Sequence, residues 1–275
     1  MKKLLPIVFL GLTKLSFAQY YYKDIIGTRQ TENLIKSYIS NKVNHVLLTS
    51  YDAENTKNDD FYVEQEFNGS ALKTITRSSA TGESILTSFM DTKGRVRKTI
   101  DSSETVISNT TYEYNSQEQL SNVQSVTTDS SGNSESERHI WQYAGSTPTA
   151  MVRIKNNTDT TFISFKTDER GNVSEEQGLH KGIKSEPVFY YYDEAKRLTD
   201  IVQYNKRAKR LLPEYMFEYS PANQVIQQIT VPANSSDYII WRYQYDAKGL
   251  KVREAIYNKQ KQLTGKIEYQ YSFNS

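Results

Sequence analysis

The chain has 275 residues, no cysteine, 21 tyrosines, and 34 basic against 32 acidic residues. The lack of cysteine excludes disulfides, a thiolate site and a lipid anchor on cysteine, and a chain of this length buries a core without them. The near-neutral balance excludes a global basic footprint for nucleic acid or anionic membranes; without Lys2, Lys3 and Lys14, which a leader would remove, it is about −1.

At the N-terminus, Lys2 and Lys3 precede the apolar stretch from Leu4 to Leu15, and Ser16 and Ala18 supply small residues before Gln19. This pattern predicts a signal peptide over residues 1–18. The apolar stretch is short of the ~20 residues that cross a bilayer, and no transmembrane helix is expected elsewhere. Export places the chain in the periplasm, at the outer membrane or outside the cell. Residues 19–51 read as an N-terminal cap segment. Leu34, Ile35, Tyr38 and Ile39 recur at helical spacing, with Thr28 or Thr31 as N-cap, so a short helix is predicted from about Gln30 to Asn41. A strand follows from Val43 to Tyr51, and the charged stretch from Asp52 to Asp60 reads as a loop. A segment of this kind covers the open end of a repeat array.

Residues 52–275 carry a repeat with the composition of a β-hairpin. An aromatic strand ends in a polar turn, and an aliphatic residue opens the next strand. Tyr192-Asp193-Glu194-Ala195-Lys196-Arg197-Leu198 and Tyr245-Asp246-Ala247-Lys248-Gly249-Leu250 are its clearest copies. Further copies start near positions 90, 114, 143, 167, 219 and 271, giving a period of about 26. Asp opens a type I turn, and Gly94, Gly171 and Gly249 stand where the chain needs φ > 0 to close the hairpin with a bulge. Asn223 suits that position; Lys196 and Glu118 suit it less, so a different turn is expected there. Asn68-Gly69 marks a two-residue hairpin. Ile267, Tyr269, Tyr271 and Phe273 alternate with polar residues, as a strand requires. The fold expected is all-β: tandem antiparallel hairpins forming a curved or spiral sheet with a short helical cap.

The Tyr-Asp-x-x-Gly-x-Leu units resemble the YD repeats of RHS-type proteins, known from bacterial toxin shells and animal cell-surface receptors. The resemblance runs from about Phe89 to Phe273 and implies a spiral sheet. Two copies keep both Tyr and Asp, and the array is too short for a closed shell.

No catalytic constellation emerges. His45, His139 and His180 lie far apart in sequence; His139 with Glu137 is the one pair at strand i, i+2 spacing, and it reads more simply as a histidine beside Trp141 on a sheet face. Glu175 and Glu176 project to opposite faces of a strand, and Asp59 and Asp60 fall in the loop. No metal and no cofactor is expected. Lys206, Arg207, Lys209 and Arg210 form the one local basic cluster, read either as a site for lipopolysaccharide or a polyanionic glycan, or as a solvated connection. Trp141, Tyr191, Trp241 and Tyr243 are the candidate ligand-binding residues, since exposed rings stack on sugars; cross-strand aromatic ladders would use the same residues. The last strand, about Lys266 to Phe273, is expected either to close against the N-terminal segment or to recruit a protein by strand addition. The function expected is a non-catalytic exported binding or scaffold protein of the cell envelope, with an envelope glycan or a strand-adding protein as partner. The alternatives are an outer-membrane β-barrel, a glycan-active enzyme and an antitoxin or immunity protein. A mean hydropathy of −0.69 stands against the barrel.

Overall fold

The computed structural model describes residues 20–274 except 233, 234 and 236. The expected signal peptide therefore lies outside the described residues. Helix α1 (Lys23–Ser40) comes first. The strands that follow are β1 (Val43–Asp52), β2 (Lys57–Phe67), β3 (Ala71–Ser78), β4 (Gly82–Met90), β5 (Val96–Ser103) and β6 (Val106–Tyr114). Next come β7 (Leu120–Asp129), β8 (Ser134–Ala144), β9 (Thr147–Lys155), β10 (Asp159–Thr167), β11 (Val173–His180), β12 (Ile183–Lys184) and β13 (Val188–Tyr192). The chain finishes with β14 (Leu198–Asn205), β15 (Arg210–Tyr219), β16 (Val225–Thr230), β17 (Ile239–Tyr245), β18 (Lys251–Tyr257) and β19 (Leu263–Phe273).

Each strand pairs antiparallel with the next, save that β12 and β13 both pair with β11, and β1 pairs on both sides. Its Leu48 stands opposite Val63 of β2 and opposite Tyr269 of β19. The sheet therefore closes on itself. Because β12 and β13 share one place beside β11, the wall has 18 staves. This corrects the expected curved or spiral sheet and, with it, the resemblance to RHS-type proteins, whose spiral differs from a barrel closed edge to edge. It also settles the fate of the last strand: β19 is closed against the N-terminal segment, so it offers no edge for strand addition. The closed barrel is the architecture of the outer-membrane alternative and fits it better than an open scaffold.

The turns explain why the hairpins form. At Asp91, Asp168, Asp193 and Asp246 one carboxylate oxygen accepts a backbone N–H from four residues on, at 2.8–3.1 Å. The residue three positions after each acid takes φ > 0: Gly94 at 76°, Gly171 at 81° and Gly249 at 79°. Lys196 at 61° and Glu118 at 64° adopt the same conformation without glycine. Their turns do not differ, contrary to expectation; the left-handed strain is carried by ordinary side chains.

These turns lie at one end of the barrel, which we call the turn end. There the repeated tyrosine has a structural task. The hydroxyls of Tyr143, Tyr219, Tyr245 and Tyr271 donate to the carbonyls of Leu120, Leu198, Val225 and Lys251 at 2.7–2.9 Å. Each bond reaches back to the start of a strand of the preceding hairpin, and the ring packs inward. One residue type thus supplies both packing and a tie between repeats.

Helix α1 lies across the turn end with one face towards the lumen. Ile25, Thr28, Ile35 and Tyr38 are buried, whereas Leu34 and Ile39 are 39% and 51% exposed. The helix starts at Lys23, earlier than expected, because Glu176 of β11 caps it. Its carboxylate accepts the backbone N–H groups of Tyr21 and Tyr22 at 2.7 and 2.9 Å, and the Tyr190 hydroxyl at 2.8 Å. At the other end Tyr38 donates to Gln65 at 2.7 Å and packs edge-on to Phe67 and Tyr271. The helix thus bridges opposite walls of the barrel, from β11 and β13 to β2 and β19. It is a lid over the lumen.

Candidate functional site

The lid is tied to the wall by a row of charged side chains inside the lumen. Asp24 Oδ2 lies 2.6 Å from His139 Nδ1, and the Trp141 indole N–H points to the same oxygen at 3.3 Å. His139 Nε2 lies 2.9 Å from Glu137, whose other oxygen accepts two bonds from Arg153 at 3.0 and 2.6 Å. Asp159, 3.8 Å from Arg153, continues the row to His180 at 2.7 Å. The i, i+2 spacing on β8 brought Glu137 and His139 to one face, as strand geometry dictates; Asp24, from the helix, carried no sequence signal.

Burial alone would strip the proton from His139, but Asp24 and Glu137 outweigh it and raise the imidazole to about 9. Burial likewise pushes Glu137 up, and His139 with Arg153 overcomes it and holds the carboxyl at about 2. Glu137, His139 and Arg153 thus hold one another's charges inside the wall. Two other luminal acids behave oppositely: burial raises Glu176 to about 6 and Glu214 to about 7.

The four candidate ring residues do not form one site. Trp141 is buried and stacks on Phe165 with ring centroids 5.3 Å apart. Trp241 is buried in the lumen, and beside it Tyr243 has Lys251 Nζ over its ring at 4.3 Å. Tyr191 projects from the outer wall and is 51% exposed. Trp141 packs against Phe165, whereas Trp241 also lines a cleft at the far end of the barrel. Glu175 and Glu176 do point to opposite faces, the first to Lys166 outside and the second to α1 inside. Among the described residues no group of three or more His, Asp or Glu is placed to hold a metal ion.

Among the described residues no helix covers the end opposite the lid. A cleft of about 800 Å³ lies there, with Trp241, Ile256 and Ile267 among its lining. Asp52, Asp59, Asp60 and Asp237 stand around it with Lys57 and Lys259. Lys57 lies 3.2 Å from Asp59, and Lys259 lies 3.8 Å from Asp237. The stretch expected as a loop from Asp52 to Asp60 is mostly strand, since β1 runs to Asp52 and β2 begins at Lys57. Consecutive acids there hid the alternation that Phe61, Val63, Gln65 and Phe67 make plain on the buried face. Clefts at barrel mouths with apolar floors and a few polar groups are a recurrent form of ligand site. This one can shelter an apolar group while its rim meets a polar or cationic one.

No family model and no curated protein matches the chain. Among solved structures, a porin-like protein from Bacteroides uniformis ATCC 8492 is similar over 84% of this chain and 98% of its own, at 14% identity and a TM-score of 0.39. A porin-like protein from Bacteroides vulgatus ATCC 8482 gives the same coverages, with a TM-score of 0.28. The TcdB2-TccC3-Cdc42 structure matches 78% of this chain but 12% of its own, at 11% identity and a TM-score of 0.36. Likenesses of this level establish neither kinship nor activity.

Proposed function

We propose that the protein is a non-catalytic β-barrel held at the outer membrane, with a lumen sealed by its own helix and a ligand-accepting mouth. The observation that carries this reading is the double pairing of β1, which turns a row of hairpins into a closed wall with α1 across one end. A lid tied down by Glu176, His139 and Gln65 speaks for a cup and against an open diffusion pore. Glu176 and His139 are engaged in holding that lid, and Glu254 is taken up by Tyr269 and Lys251, which supports a role without catalysis.

The outer wall supports contact with a membrane through part of its surface. Lys166 with Glu175, Lys73 with Glu66, and Lys266 with Glu268 pair on the outside at 2.5–3.4 Å. Basic side chains facing lipid at the midplane cost about 2–4 kcal/mol each. On β9, β10 and β11 the wall also carries an apolar patch: Phe162 stands opposite Val152 on one side and Leu179 on the other. Cell fractionation tests the reading. The mature chain should travel with the outer membrane, be released by high salt or alkaline wash, and produce no conductance in planar bilayers. Recovery in the soluble periplasm alone would refute it.

A further inference from the structure

The open mouth has two unlike sides. Around β1, β2 and the segment before β17 its rim carries Asp52, Asp59, Asp60 and Asp237, of which Asp59 and Asp237 are paired with Lys57 and Lys259. Next to the segment before β17 round the same end come two connections between β11 and β15: residues 206–209 and then residues 181–182. They and their flanks carry Lys181, Lys184, Lys206, Arg207, Lys209 and Arg210, all exposed, against Glu186 and Asp159, the latter 3.8 Å from Lys181. Apolar side chains stand among these cations. Ile183 is 74% exposed, Leu211 47%, Leu179 39% and Tyr204 38%. Tyr204 and Leu211 face each other across β14 and β15, and Leu179 faces Lys184 across β11 and β12. The sequence showed only the Lys206–Arg210 cluster; the fold places beside it a second basic tip and the apolar residues between.

The geometry points to this lip as a membrane-docking surface for an anionic phospholipid bilayer. Cations draw a peripheral protein to anionic headgroups, and apolar side chains among them enter the interface. The side with Asp52, Asp59, Asp60 and Asp237 has no such excess of cations, so the basic side of the mouth touches the bilayer and the cleft stays accessible. This inference rests on the outer-membrane reading for its cellular setting, while the surface itself is testable on the purified chain.

The test is co-sedimentation of the mature chain with vesicles of mixed phosphatidylglycerol and phosphatidylcholine, compared with phosphatidylcholine alone. Binding should be at least about tenfold tighter to the anionic vesicles and should weaken as salt rises. The variant Lys206→Ser/Arg207→Ser/Lys209→Ser/Arg210→Ser should lose about tenfold or more of that binding with an unchanged melting temperature. Ile183→Ser/Leu211→Ser should weaken binding while keeping its salt dependence. Equal binding to both vesicles, or full binding by both variants, overturns the proposal. So does binding to lipopolysaccharide micelles with none to phosphatidylglycerol, which would move the site to a different lipid. Wild-type chain absent from the outer-membrane fraction, with vesicle binding intact, would remove the cellular reading and leave the lip.

Discussion

Gly249 and Lys196 occupy equivalent places in two turns, at φ 79° and 61°, and they predict opposite responses. Gly249→Val should destabilise by about 1 kcal/mol or more, because a β-branched residue resists the left-handed region. Lys196→Gly should be neutral or stabilising by up to about 1 kcal/mol, since it relieves that strain. Chemical denaturation measures both. The sequence made the turn legible through its Asp and Gly, yet it could not show that the turn survives without Gly. The Asp carboxylate holds the backbone strongly enough to do so, as the bonds from Asp193 to the Arg197 backbone and side chain show. Tyr219→Phe removes a hydroxyl and leaves the Leu198 carbonyl without its 2.7 Å partner, for a loss of about 0.5–1.5 kcal/mol. The pattern announced the tyrosines as strand residues; the tie to the preceding hairpin is a long-range fact that no local pattern contains. His139 gives a pH signature. Its folded pKa of about 9 lies above the ordinary value of 6.5, so its contribution is complete below the lower value and is lost as pH rises through the upper one. The melting temperature should therefore fall more steeply over that range in the wild type than in His139→Gln. Parallel slopes would mean that the Asp24–His139 contact does not tie the lid.

At the scale of elements, α1 shows where periodicity succeeds and where it stops. Ile35 and Tyr38 are buried as their spacing predicted, but Leu34 and Ile39 lie on the exposed face, and the first two turns carry a weaker apolar signal. Those turns are helical because the Glu176 carboxylate satisfies the N–H groups at the start of the helix. That partner is more than 150 residues away in sequence. Glu176→Ala should fray the first turns of α1, visible as faster amide exchange at residues Lys23 to Gly27, while the barrel strands keep their protection. The last strand obeys the same logic. Its alternation was plain in the sequence, and its partner was not. Tyr269→Pro places proline in a strand paired on both sides, removing a ladder donor where none is exposed, and should cost about 3 kcal/mol or more. A stable Tyr269→Pro variant would mean that β19 is an edge.

For the whole molecule, the sequence established hairpins and their order but not closure. The same local pattern builds an open array or a barrel, and the choice rests on whether the segment after α1 finds the last strand. Val43 to Tyr51 reads as a strand within a capping segment; the structure uses that strand as the stave that joins both ends of the sheet. The cleft at the mouth is equally hidden, because its lining comes from β1 and β2 at one end of the chain and β17, β18 and β19 at the other, which converge only when the wall closes. The pairing of β1 with β19 is therefore the claim on which the lid, the mouth and the basic lip all depend. The chain has no cysteine, so a pair can be introduced cleanly at Leu47 and Gln270, which stand opposite each other across that seam. In Leu47→Cys/Gln270→Cys, a short thiol-to-thiol cross-linker should join the two sites almost completely in the folded protein and hardly at all after denaturation, giving a covalent ring with altered mobility on a denaturing gel. Folded protein whose two thiols react separately and never join would contradict the closed barrel.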